Sequence, residues 1–345
     1  MDYYLECTRC GSGFDNDYGN QICAKCGGIL EVVYKGRLKI PKSAIFWDYE
    51  SELPDSKYTH YALGGTALVE SNLHHGLFLK LELYNPTGSF KDRGSVVEVA
   101  KAKEYGYDEI AVASTGNMAY SLAYYARAAG IKTTVFIGGA ANPNKVKDIL
   151  MTHDAKIHRV HKDFSAAQDA AIKYSRRTGA FLAGDYCYRK EGQRTMAYEV
   201  AAQLKGFTHI IVPVGNATLV SGIAKALCEM RINAGIIAVQ ARGCSPLAKA
   251  FKRRKPIRYE IPHTKADAIA VGNPAYGDEA VREIRESGGA VVTVEDKEMA
   301  ACQEMLYRSD GVRAELAGAA SIAAYRKLKF RKGDRVIAII SGGNI

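Results

Sequence analysis

The chain has 345 residues, with 47 Lys and Arg against 37 Asp and Glu, for a formal net charge of +10. That is too long for one hydrophobic core to serve comfortably, and it suits two domains plus a small appendage. A hydrophobic set of 47% and a charged set of 24% are those of a soluble globular protein; no apolar run is long enough to span a bilayer, and Met1-Asp2-Tyr3-Tyr4-Leu5-Glu6 is not a signal peptide, so a cytoplasmic protein is expected.

Four of the eight cysteines fall in the first 26 residues, as Cys7-Thr8-Arg9-Cys10-Gly11 and Cys23-Ala24-Lys25-Cys26-Gly27-Gly28, with 12 residues between the pairs. Two C-x-x-C-G turns at this spacing can close a tetrahedral zinc site of four thiolates, Cys7, Cys10, Cys23 and Cys26. Protein ligands fill such a site completely, so the zinc is expected to be structural. Tyr3, Phe14, Ile29 and Val32 can pack around a unit too small to fold unaided. A redox disulfide pair is the competing reading, and a cytosolic setting disfavours it. A nucleic-acid ribbon is a further one, but only Arg9, Tyr18 and Lys25 could serve it, which is thin for a stacking and phosphate-binding face. The other four cysteines, Cys187, Cys228, Cys244 and Cys302, are scattered as ordinary reduced thiols are.

Further along, Asp55–Tyr61 reads as a linker. Leu77–Leu83 has the pattern of a strand, and a helix is expected from Lys91 to Ala102. Strand Glu109–Ala113, helix Tyr120–Ala129, strand Lys132–Ile137, helix Lys145–Thr152 and strand Lys156–Val160 follow. Then come helix Ala166–Arg177, strand Ala180–Ala183, helix Gly192–Leu204 and strand His209–Val214. The alternation runs on through Ile236–Val239 to Val336–Ile340. Strands without polar alternation, separated by helical periods, predict parallel sheets covered on both faces. Ligands bind beyond the carboxyl ends of strands in such sheets, and the motifs of this chain lie there.

Four of those motifs carry chemistry. In Asn85-Pro86-Thr87-Gly88-Ser89-Phe90-Lys91-Asp92-Arg93-Gly94, a lysine stands where a strand pattern gives way to a helix. Ser114-Thr115-Gly116-Asn117 opens another helix, where backbone N–H groups favour an anion. Pro213-Val214-Gly215-Asn216-Ala217-Thr218-Leu219 does the same after a buried strand, with small residues that let the backbone approach a phosphate. Ser341-Gly342-Gly343-Asn344 closes the last strand.

The lysine run resembles the cofactor-lysine segment of pyridoxal-phosphate (PLP) enzymes of the threonine synthase and tryptophan synthase β type, and the likeness extends over nearly the whole chain. Zinc ribbons of the N-terminal kind also precede the catalytic body in archaeal-type threonine synthases. The resemblance implies a fold-type-II PLP enzyme: two three-layer αβα domains with parallel sheets and a small zinc ribbon. The expected division is residues 1–38 for the ribbon, 39–90 with 205–345 for the larger PLP-binding domain, and 91–204 for the smaller domain with the substrate-carboxylate turn. It implies that Lys91 holds PLP covalently and serves as general base. Ser114 and Thr115 would hold the substrate carboxylate, and Asn117 would contact the cofactor's 3′-oxygen. Gly215, Asn216, Ala217, Thr218 and Leu219 would cradle its phosphate, Ser341 would face its pyridine nitrogen, and Arg189 would bind substrate. The net charge suits a phosphate-bearing cofactor and a small anionic amino-acid substrate. No membrane or nucleic-acid partner is expected, and the family's habit implies a homodimer.

Other segments carry the same likeness. Tyr188–Thr195 resembles the arginine segment of threonine synthases, Ala266–Pro274 another of their segments, and Ala314–Ala320 their Glu-Pro-Ala-Ser-Ala turn, with Leu316 and Gly318 as departures. Ala67 replaces a proline in the Gly65–Leu68 entry, and Thr218 and Leu219 replace the last two residues of the family's Gly-Asn-x-Gly-Asn loop. Met118 stands where a threonine is usual, and Ala183 and Gly184 where an Asn-Ser pair is usual, which strips polar groups from the substrate-phosphate pocket. The first expectation is therefore threonine synthase, acting on O-phosphohomoserine. A serine/threonine deaminase or a phosphoserine-dependent β-replacement enzyme is the alternative. A nucleic-acid-binding ribbon protein with an inactive PLP fold is the remote one.

Overall fold

The computed structural model describes residues 2–54, 58, 61–114, 116–138, 155–161 and 164–343. Two compact units share the chain: Met1–Lys39, Trp47–Ala62 and Lys91–Gln193 in the first, Ile40–Phe46, Leu63–Phe90 and Arg194–Ile345 in the second.

The first unit opens with an antiparallel sheet of β1 (Tyr3–Cys7), β2 (Gly13–Asp15) and β3 (Leu30–Tyr34), in the order β2-β1-β3. Leu5 sits opposite Phe14 on one side and Val32 on the other. Tyr3, Leu5 and Cys7 are buried while Tyr4 and Glu6 are half exposed, the period-2 pattern of a strand with one covered face. The two cysteine turns are built alike. The N–H of Gly11 donates to Cys7 O at 2.9 Å and that of Gly27 to Cys23 O at 2.9 Å. Both glycines have positive φ, 66° and 71°, the conformation that closes such a turn and that an L side chain resists.

The rest of this unit is a parallel sheet in the order β8-β7-β6-β9, from β6 (Glu109–Ala113), β7 (Lys132–Gly138), β8 (Lys156–Val160) and β9 (Phe181–Ala183). Its helices are α1 (Lys91–Glu104), α2 (Asn117–Ala128), α3 (Phe164–Thr178) and α4 (Cys187–Gln203), the last reaching into the second unit's span. The helix expected at Lys145–Thr152 lies outside the described residues, as does most of the linker read at Asp55–Tyr61.

The second unit holds a six-stranded sheet in the order β12-β11-β10-β13-β5-β4. Its strands are β4 (Leu68–Glu70), β5 (Leu77–Leu81), β10 (His209–Pro213), β11 (Gly235–Ala241), β12 (Ala290–Val294) and β13 (Val336–Ile340). All pairings are parallel except that of β4, which runs antiparallel to β5. The short connection from Glu70 to Leu77 cannot carry a crossover, so this edge strand must turn back on its neighbour. The helices are α5 (Thr218–Met230), α6 (Pro246–Arg253), α7 (Gly277–Glu286), α8 (Asp296–Asp310) and α9 (Leu316–Tyr325). The alanine-rich α9 is buried along nearly its whole length, in one core with β10, β11, β13 and β5. Lys80, on β5 beside the edge strand, is fully buried and is held by Glu199 at 2.8 Å, Gln203 at 3.0 Å and Thr66 O at 2.7 Å. A buried ammonium is tolerated only with such a set of partners. Among the described residues, no helix is long and apolar enough to cross a membrane.

Candidate active site

Lys91 is the first residue of α1, and its side chain keeps 17% of its surface exposed. Its Nζ lies 3.7 Å from Asp185 Oδ1, whose side chain is 5% exposed. Burial lowers the pKa of the Lys91 amine; Asp185 pulls it up and Arg189 adds to the lowering, with a net downward shift.

Arg189 is fully buried on the first turns of α4, and its guanidinium is shared out among this unit's own groups. Nε donates to Gly184 O at 2.9 Å, Nη1 to Lys91 O at 3.2 Å, and Nη2 to Ser95 Oγ at 3.3 Å and to Glu98. Glu98 also accepts the N–H of Gly184 at 2.8 Å. Burial pushes the Glu98 carboxyl up to about 7, against the lowering effect of Arg189. Lys91, Ser95 and Glu98 share one face of α1, and α4 answers with Arg189.

Two glycines make this pairing of helices possible. A Cβ on Gly192 would lie 1.9 Å from Arg93 O, and one on Gly94 would lie 2.5 Å from Arg189 Cγ. The backbones of α1 and α4 touch here, so neither position can hold a larger residue without movement. This explains the departure from the expected start of α4. The sequence pattern starts it at Gly192. The helix instead begins at Cys187, with Gly192 inside it as the contact point for α1.

Ser114 is buried after β6, and its Oγ accepts the N–H groups of Gly116 at 3.4 Å and Ala119 at 3.2 Å, capping the start of α2. Asn117 opens that helix, while Thr115 lies outside the described residues. Met118 and Ala183 are buried, and a Cβ on Gly184 would come 2.9 Å from the ring of Tyr186. The polar groups missing from these positions in the sequence have no side-chain substitute at the same positions.

The second unit gathers the remaining motifs at the carboxyl ends of adjacent strands β10, β13 and β5. After β10 the chain passes Gly215 and Asn216 to Ala217, which is left-handed at φ 66°, and then enters α5 at Thr218 and Leu219 with no side-chain cap on the helix. The amides that open a helix can take an anion. A Cβ on Gly215 would meet Ala268 O at 2.9 Å, so the loop packs directly on the Ala266–Pro274 segment. Asn216 is fixed there too: its Oδ1 accepts Ala275 N–H at 3.3 Å and its carbonyl accepts Tyr276 N–H at 3.0 Å. Ser341, buried at the end of β13, accepts the N–H of Phe90 on its carbonyl at 3.0 Å. Next to it, a Cβ on Gly318 would come 2.7 Å from Gly342 O, which places the Ala314–Ala320 turn beside the Ser341–Gly343 ending. A short loop with a left-handed residue at the start of a helix, and a buried hydroxyl at a neighbouring strand end, fit the phosphate and ring nitrogen of PLP.

The cysteine cluster forms a separate site. The four Sγ atoms of Cys7, Cys10, Cys23 and Cys26 all lie within 4.8 Å of one another, with Cys7–Cys26 at 3.5 Å and Cys10–Cys23 at 3.8 Å. Tetrahedral zinc–thiolate bonds imply S···S edges of about 3.8 Å, so the cluster has the dimensions zinc requires. All four cysteines are free thiols.

Sequence reasoning missed Asp185 and Glu98. Glu98 carried a signal, since it falls seven residues after Lys91 on the same helical face. Asp185 carried only its closeness in sequence to the arginine segment.

Residues 60–342 match the family described as pyridoxal-phosphate dependent enzyme. The threonine synthase of Methanosarcina acetivorans is 37% identical, over 99% of this chain and 91% of that protein. That of Methanocaldococcus jannaschii is 36% identical, over 97% and 91%. Among solved structures, maize serine racemase superposes with a TM-score of 0.73 at 25% identity, covering 81% of this chain and 88% of that one. With its fold of parallel sheets and its lysine at the start of α1, the chain belongs to the pyridoxal-phosphate-dependent enzymes and, among them, to the threonine synthase family.

Proposed function

We propose that this protein is a threonine synthase, converting O-phosphohomoserine and water to threonine and phosphate, with Lys91 as the amine that carries the cofactor. The observation that carries the reading is the Lys91 amine itself, made less basic by burial and set 3.7 Å from Asp185. Relatives named threonine synthase, similar over nearly the whole chain, support threonine as the product.

Bound PLP supplies an electron sink for negative charge at the substrate α-carbon. Lys91 is the base that takes the α-proton at Nζ, and its lowered pKa increases the fraction of free amine near neutral pH. Asp185 steadies the ammonium so formed. Arg189 holds the turn that carries Asp185 through Gly184 O, and ties it to α1 through Glu98 and Lys91 O. Ser114, Thr115 and the amides opening α2 are assigned to the substrate carboxylate, and Asn117 to the cofactor's 3′-oxygen. The amides of Gly215 to Leu219 are assigned to its phosphate and the Ser341 hydroxyl to its ring nitrogen. We assign a structural zinc ion to Cys7, Cys10, Cys23 and Cys26. Eight unpaired cysteines suit a cytoplasmic location.

One observation favours a second reading, deamination of serine or threonine or β-replacement on phosphoserine. The Arg189 guanidinium is committed to Glu98, Ser95 and two carbonyls, and Met118, Ala183 and Gly184 offer no polar side chain to a second phosphate. Assaying the purified protein for phosphate from O-phosphohomoserine beside keto acid from serine and threonine separates the two. Phosphate without keto acid supports the synthase, and keto acid without phosphate overturns it.

A further inference from the structure

The N-terminal sheet does more than fold around its cysteines: it holds the turn that faces Lys91. Gln21, in the loop between the two cysteine pairs, is 1% exposed. Its Nε2 donates to Leu182 O at 2.9 Å, while its Oε1 accepts the N–H of Tyr188 at 3.1 Å and the thiol of Cys187 at 3.6 Å. Leu182 precedes the turn Ala183–Tyr186 and Tyr188 follows it, so one side-chain amide straddles the turn that carries Asp185. Tyr188 N–H is among the first amides of α4, which no carbonyl of that helix can reach. Gln21 therefore caps α4 from a distant part of the chain, one residue before Arg189.

Neighbouring contacts brace the same end of α4. Glu31 pairs with Lys190 at 2.9 Å and Tyr34 donates to Glu191 at 2.6 Å. Tyr3 and Tyr188, with Tyr105, surround the ammonium of Lys101 on α1 at 5.4, 5.4 and 4.6 Å from their ring centres. The N-terminal sheet thus grips both helices whose crossing brings Lys91, Asp185 and Arg189 together.

We propose that Gln21 is a positioning residue for Asp185 and Arg189, through which the N-terminal sheet sets the geometry at Lys91. This rests on the reading of Lys91 as the reactive amine. The test uses the full-length protein with Gln21→Ala and, as a variant of similar volume, Gln21→Met, which fills the same space but loses both the donor to Leu182 O and the acceptor for Tyr188 N–H. Hydrogen exchange of the 184–189 amides is read together with kcat and KM for phosphate release. In Gln21→Ala we expect exchange of the Tyr188 amide to rise roughly tenfold, as for a buried amide left without its acceptor. We expect kcat to fall by a similar factor with a smaller change in KM, exchange in β1 and β3 to stay as in the parent, and Gln21→Met to show both losses, since it keeps the volume and lacks the hydrogen bonds. Unchanged exchange at 184–189 with unchanged kcat overturns the proposal. Exchange and kcat that worsen equally across the N-terminal sheet reduce Gln21 to a folding residue and overturn it too. If the parent protein releases no phosphate, the functional reading fails, while the exchange result still decides the positioning role.

Discussion

Arg93 O and Gly192 Cα touch so closely that a methyl group on Gly192 would lie 1.9 Å from the oxygen. Gly192→Ala must push α1 and α4 apart. Overpacking of this kind costs about 1–3 kcal/mol, and the shift falls on Lys91 and Arg189 together. The variant should melt at lower temperature by calorimetry and lose activity beyond what its stability loss explains.

Asp185 stands 3.7 Å from the Lys91 amine and raises its pKa against the lowering by burial. Asp185→Asn removes that opposition, so the amine should titrate at still lower pH. The pH dependence of PLP uptake by the cofactor-free protein reports this, and its midpoint should move toward acid. A midpoint that stays put, or moves toward base, means the carboxylate does not act on Lys91.

Glu98 illustrates a pKa raised by burial, to about 7 from an ordinary 4.5. Between those values the folded protein binds a proton that the unfolded chain does not. This group therefore makes the unfolding free energy fall as pH rises from about 4.5 to about 7. Glu98→Gln mimics the neutral form. It should flatten the decline toward neutrality while lowering stability at every pH, because its NH2 cannot accept from Arg189 or Gly184 N–H; denaturant unfolding at a series of pH values measures both.

The cysteine cluster makes its own prediction. The protein should bind one zinc ion per chain, and Cys26→Ser should lower both zinc content and melting temperature, because metal-binding and folding free energies are coupled in small sites of this type. Elemental analysis beside calorimetry checks it. A Cys26→Ser variant with full zinc content and unchanged melting would remove the metal from the account.

Much of this architecture was legible because its signals are local. Cysteine pairs followed by glycine declare their turns, and uninterrupted apolar runs such as Ile210–Val212 and Ile337–Ile340 declare buried parallel strands. Lys91 stood out because strand gives way to helix at that residue. Relationships that exist only after helices cross were hidden. Gly192 read as a helix start, since nothing local reveals that another backbone lies against it. The carboxylates Glu98 and Asp185 belong to no motif of the sequence, because it is the crossing of α1 and α4 that encloses them. The resemblance makes Arg189 a ligand for substrate. Its engagement with Glu98, Ser95, Gly184 and Lys91 depends on that same crossing. The antiparallel β4 was missed because three residues are too few to show a pattern.

The central claim is that the Lys91 amine carries the cofactor. Treating the PLP-loaded protein with borohydride, digesting it and locating the pyridoxyl group by mass spectrometry tests that most directly. The group should sit on Lys91 and be lost in Lys91→Ala. A pyridoxyl group on another lysine, or none in protein loaded with cofactor, would contradict it.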